Sequence, residues 1–99
     1  MDNIGLTMIS EAYKAVILEC ARKYNASSVL LFGSALSEGD KANDFDIAVK
    51  GIQPELFFNF YAELFKQLPK PVDLVDLSRK SLFNDLIEQT GMTIYGRTP

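Results

Sequence analysis

The stretch VLLFGSALSEGDKANDFDIAVKG, Val29 to Gly51, decides the fold. An apolar run, 29–32, stops at Gly33-Ser34, passes through nine mostly small or polar residues, and resumes as a second run carrying Asp44 and Asp46. Strand side chains alternate between faces, so Phe45, Ile47 and Val49 point one way while Asp44, Asp46 and Ala48 point the other. Two carboxylates on one face repel unless they are solvated or share a positive charge. Either reading is open from this stretch alone.

Working outward, Leu6, Ile9, Tyr13, Val16, Ile17, Cys20 and Tyr24 recur at three- and four-residue spacing. The spacing predicts a first helix over roughly 7–23, with Cys20 as a small core residue. Leu18 falls on its opposite face. Residues 29–32 form a first strand, 34–37 a short helical turn with Ser34 near its N-cap, and 45–49 a second strand closed by Gly51. The alternation in that strand predicts a sheet covered on one face only.

Pro54 suits the first turn of a helix, and Phe57, Phe58, Tyr61, Leu64, Phe65 and Leu68 then make an apolar stripe ended by Pro69 and Pro71. Leu56 and Phe60 widen that stripe and are open between core and partner surface. Residues 72–75 form a third strand with Asp73 pointing away from Val72 and Leu74. Ser78 is positioned to cap a last helix with Leu82, Phe83, Leu86 and Ile87 inward. Gly91 suits its C-terminal end and 92–95 a final strand. The expected order is α-β-turn-β-α-β-α-β in a single domain, 1–99, with every helix able to cover the same sheet face.

Composition bounds the chemistry. At 99 residues, 47% of them hydrophobic, the chain can bury a core but has little room for a second domain. A net charge of -3 with no Lys/Arg block argues against a duplex nucleic-acid footprint. No apolar run approaches the roughly 20 residues of a membrane span, and no signal-peptide pattern opens the chain, so a soluble cytoplasmic protein is expected. The single cysteine excludes an internal disulfide, and the absence of histidine removes zinc sites of the usual kind and His-based acid–base catalysis. Carboxylates, hydroxyls, Lys and Arg remain.

Three of those carboxylates, Asp44, Asp46 and Asp73, fall on the uncovered sheet face if the third strand lies beside the second. Hard oxygen ligands of this kind suit Mg²⁺. The Gly33-Ser34 turn adds backbone N–H groups with no side chain at Gly33 to block close approach, which suits a phosphate. Each piece alone has a plain reading as solvated acids or a simple turn. Asp76 is the rival to Asp73, but three residues further on the pleat sends it to the other face.

Gly33-Ser34, nine residues, Asp44-Phe45-Asp46 and an acid on a later strand resemble the signature of the DNA polymerase β-like nucleotidyltransferase superfamily. "LLFGSA", "ANDFDIAVKG", "KPVDLVDLS" and "GMTIYG" together resemble its minimal nucleotidyltransferase members. The resemblance implies an α+β fold, a small mixed four-stranded sheet with helices mainly on one face. It implies transfer of a nucleoside monophosphate, AMP above all, from a triphosphate to a hydroxyl with two Mg²⁺ ions. In this reading Gly33 and Ser34 bind the nucleotide, while Asp44, Asp46 and Asp73 are both metal ligands and catalytic residues. Asp73 stands beside the attacking hydroxyl. The implied partner is a helical HEPN-type protein, with this chain as antitoxin; homo-oligomerisation is left open.

One departure matters: Leu36 and Ser37 stand where many minimal relatives carry an Arg. Lys41, Lys50, Arg79 and Lys80 are the candidate substitutes. The alternative function is therefore an inactive module that neutralises a partner by occlusion. Nucleotidylation of an antibiotic needs a small-molecule pocket that this length hardly supplies.

Overall fold

The computed structural model describes residues 9–96. The elements follow the expected order: α1 (Glu11–Lys23), β1 (Ser28–Leu31), α2 (Gly33–Glu38), β2 (Phe45–Lys50), α3 (Phe57–Gln67), β3 (Val72–Asp76), α4 (Leu82–Thr90) and β4 (Met92–Gly96). Short 3-10 turns precede β2 (Gly39–Lys41) and α3 (Pro54–Leu56). The first helix starts later than its apolar spacing suggests, because Ser10 Oγ accepts from the Tyr13 N–H and caps it there. Leu6 and Thr7, read into that helix, lie outside the described residues.

The four strands form one mixed sheet in the order β3-β2-β1-β4. β1 runs antiparallel to both β2 and β4, while β2 and β3 are parallel and joined through α3. This is the expected α+β architecture, with the two longest helices on one face. There Ile17, Cys20 and Ala21 of α1 and Phe60 and Leu64 of α3 bury Val29, Leu31, Phe45, Ile47 and Val49. Burial pushes the Cys20 thiol up, which suits a packing role.

The expectation that every helix covers this same face is corrected. α4 packs on the other side, where Ile87 meets Leu30, Ala48 and Leu77, with Val75 and Phe32 beside them. The reason lies in β1: its residues are buried on both faces, so its apolar run needs a cover on each side.

The helix faces also differ from expectation. On α3, Phe60 and Leu64 are fully buried, whereas Phe58 is 77% and Phe65 59% exposed. On α4, Ile87 and Asn84 are buried, while Leu82, Phe83 and Leu86 are exposed. Ser81, not Ser78, caps α4, its hydroxyl accepting from the Asn84 N–H at 3.0 Å. The Asn84 amide then bonds the carbonyls of Asp76 and Arg79, tying the helix start to the end of β3. Gly91 ends α4 in an extended conformation, not a left-handed one. A Cβ there would meet Ile87 O at 2.8 Å and Leu31 O at 2.9 Å, so the close approach of two backbones requires the glycine.

Glu63 pins α3 to α1. It accepts from Lys23 Nζ at 2.9 Å and from the Tyr24 hydroxyl at 3.0 Å, and the Lys23 bond above all holds its carboxyl below the usual range. Its contribution is present above the unfolded carboxylate pKa and fades as pH falls through the lowered folded value.

At the other end of the sheet, Ser28 Oγ is buried with no hydrogen-bond partner among the described residues. Because an orphaned buried hydroxyl is costly, Ser28→Ala should be neutral or stabilising by about 1 kcal/mol. A lower urea midpoint for Ser28→Ala would show that the hydroxyl is satisfied.

Candidate active site

The second sheet face is covered at one end and open at the other. Leu30, Ala48 and Val75 lie under α4. One pleat away along β2 and β3, Asp46 is half-buried and Asp73 exposed, while Asp44 stands exposed just before β2. Asp46 and Asp73 are register partners across the parallel pair, so their side chains leave the same face on neighbouring strands about 4.8 Å apart. Asp76 pairs with Val49 and its carboxylate accepts from the Ser78 N–H at 2.9 Å, so it belongs to a turn. Asp73 and Asp76 therefore leave opposite faces of β3.

On the other side of Asp46 stands Phe32, whose N–H donates to the Asp46 carbonyl at 3.1 Å. Phe32, Asp46 and Asp73 therefore form a row across three adjacent strands. Gly33 and Ser34 follow Phe32 directly and open α2, which sits against β2.

Ser34 does not cap α2. Phe32 occupies that position, without a side-chain cap bond, and Ser34 is the second residue of the helix. Both its N–H and its hydroxyl donate to Asp46 Oδ2, each at 3.1 Å. These charge-assisted bonds aim the Asp46 carboxylate and leave Oδ1 as its less encumbered oxygen. Gly33 makes this possible. Its φ is +57°, and a Cβ on it would stand 2.6 Å from Asp46 Oδ2. Gly33→Val would thus disturb the acid as well as the turn.

Lys70 organises the approach to β2. Its ammonium donates to the carbonyls of Asp40 and Ala42 and lies 5.3 Å from the centre of the Phe45 ring. It thereby anchors the loop that delivers Asp44. Nothing in its setting between Pro69 and Pro71 announces this role. Lys50, one candidate for a missing arginine, is 3.8 Å from Glu88, and Arg79 and Lys80 line a recess with it beside the start of α4.

The residue types fit a hard divalent cation, since all donors are carboxylate oxygens and two of them are neighbours in register. Among the described residues, no three such side chains stand together as a group that could hold a metal ion: Asp46 and Asp73 are neighbours, but Asp44 is not drawn in with them.

The profile of the family described as "Polymerase beta, Nucleotidyltransferase" matches residues 15–99. The chain belongs to this nucleotidyltransferase family. Among curated protein sequences, none matches it. Solved structures do. A toxin–antitoxin crystal structure with AMP-PNP is 25% identical, with a TM-score of 0.70 over 85% of this chain and 73% of that chain. A tri-AMPylated Shewanella oneidensis HEPN toxin in complex with MNT antitoxin matches at 24% identity and TM-score 0.68, covering 88% of this chain and 72% of that chain. The toxin–antitoxin complex MntA-HepT matches at 22% identity and TM-score 0.68, covering 89% and 74%. The last two likenesses concern the fold of this nucleotidyltransferase. Among its described residues, no helix is long and apolar enough to cross a membrane.

Proposed function

We propose that this nucleotidyltransferase moves AMP from ATP to a hydroxyl on a HEPN-type partner protein, as the antitoxin of a toxin–antitoxin pair. The observation that carries the reading is the register pairing of Asp46 with Asp73 on an open sheet face, with Ser34 aiming Asp46. Two features of the similar structures support it: one holds AMP-PNP, and another contains a tri-AMPylated HEPN toxin beside its antitoxin.

In this mechanism Asp44, Asp46 and Asp73 would hold Mg²⁺, which when bound supplies charge neutralisation at the triphosphate and activation of the attacking oxygen. Ser34 keeps the Asp46 carboxylate turned toward the site through its N–H and hydroxyl. Asp73, exposed on the edge strand, would accept the proton of the acceptor hydroxyl. The hydroxyl oxygen bonds to the α-phosphorus, the bond from that phosphorus to the bridging oxygen breaks, and pyrophosphate leaves. Since β3 is an edge strand, a protein acceptor can approach Asp73 from the side.

Occlusion without chemistry is the second reading, favoured by the exposed Phe58 and Phe65 on α3, a surface suited to a partner. Ser34→Ala separates the two. Ser34 does not cap α2, but the substitution removes the hydroxyl's charge-assisted bond to Asp46, so it should lower the melting temperature modestly. It should weaken ATP binding in Mg²⁺ about tenfold or more, the value of one charge-assisted hydrogen bond. Calorimetric titration giving equal ATP affinity for both proteins would contradict the nucleotide reading.

A further inference from the structure

We propose that Phe83, braced by Phe32, is the platform on which the nucleobase of the triphosphate stacks, and that it selects purines as a class. The inference rests on the nucleotide reading of the Ser34–Asp46 site and adds to it the recognition of the base.

Phe83, on α4, is 55% exposed. Its ring meets that of Phe32 edge-to-face, with centroids 6.2 Å apart and planes at 85°. Phe32 is the cross-strand neighbour of Asp46, joined to it by the 3.1 Å backbone bond, and directly precedes Gly33-Ser34. The row therefore ends, on the side away from Asp73, in an aromatic wall. A triphosphate whose phosphates lie at Ser34 and Asp46 leaves its ribose and base to reach one side. On the Asp73 side the acceptor hydroxyl must enter, so the base goes toward Phe32 and Phe83.

The bracing explains why the ring can serve as a platform. An edge-to-face contact fixes Phe83 without using up its exposed surface. Neighbouring Leu82 and Leu86, 88% and 54% exposed, extend an apolar rim but offer no hydrogen-bond partner to a base edge. Stacking on such a surface tolerates any base and gains with ring area. The wall should thus prefer purines over pyrimidines while separating ATP from GTP poorly.

The test uses the full chain and two probes in Mg²⁺, ATP and inorganic triphosphate, measured by titration calorimetry. Phe83→Ala and Phe83→Leu should each weaken ATP about tenfold, the scale of one base–aromatic stack, and leave inorganic triphosphate within twofold. The protein contains no tryptophan, so Phe83→Trp places a single reporter at the wall. ATP and GTP should quench its fluorescence, CTP less, and inorganic triphosphate not at all. Unchanged ATP affinity in Phe83→Ala and Phe83→Leu would overturn the platform while leaving the phosphate site standing. The same result with impaired partner modification would assign the α4 rim to the protein acceptor instead. If the wild type binds neither ATP nor triphosphate, the underlying nucleotide reading fails and the platform with it.

Discussion

Asp46→Asn should leave a folded protein that transfers AMP roughly 10³-fold more slowly, a loss of about 4 kcal/mol of transition-state stabilisation. The substitution is nearly isosteric, and the asparagine carbonyl can still accept from the Ser34 N–H and hydroxyl that now reach Asp46 Oδ2. Local structure is therefore kept while the negative charge is removed. Metal affinity should fall with it, and the metal-free protein should melt no lower than wild type. Asp76→Asn is the matched control. Asp76 lies opposite Val49 and serves the turn to Ser78, so transfer should stay within twofold. Single-turnover rates for both variants check this. Equal losses in the two would mean that the acids act only through net charge, not through position in the row.

The second large effect is on stability. Phe60 is fully buried under α1, its ring edge-to-face with Tyr24 at 5.7 Å. Phe60→Ala should cost about 3–5 kcal/mol by leaving a cavity among close-packed neighbours. For a domain whose whole stability is on the order of 5–15 kcal/mol, that is a large share. Phe58→Ala and Phe65→Ala, on the exposed side of the same helix, should each stay within about 0.5 kcal/mol. Their effect should appear in association with a partner. Urea midpoints rank the three, and a Phe58→Ala midpoint as low as that of Phe60→Ala would contradict the helix orientation described here.

This contrast also locates the limit of the sequence. The apolar positions of α3 form two adjoining stripes, one through Phe60, Leu64 and Leu68, the other through Phe58, Tyr61 and Phe65. Periodicity identifies a helix from either stripe but not which stripe meets the sheet. Docking decides that, through contacts between distant segments such as the Phe60 ring on Tyr24. On α4 the same ambiguity is sharper, because a polar residue, Asn84, is buried to bond the end of β3 while Leu82 and Phe83 stay out.

The strands were more legible. Alternation from Asp44 to Val49 separated the acids from the core side chains, and parity alone set Asp73 apart from Asp76. A signal for the cover on the second face was also present in the unbroken apolar run of β1, with Leu30 between Val29 and Leu31 and Ala48 following the two acids. What spacing could not convey is that Ser34 bonds Asp46 across the row, and that a Cβ at Gly33 would collide with it. Those facts depend on how β1 and β2 lie side by side.

The most direct measurement of the account is transfer of label from α-phosphate-labelled ATP to a purified HEPN-type partner in Mg²⁺, comparing wild type with Asp73→Asn. Wild type should label the partner covalently in a Mg²⁺-dependent reaction, and the variant should lose that labelling with the complex still formed. A wild-type protein that binds the partner tightly but transfers no label under any divalent cation would contradict it, and would leave occlusion as the function of this fold.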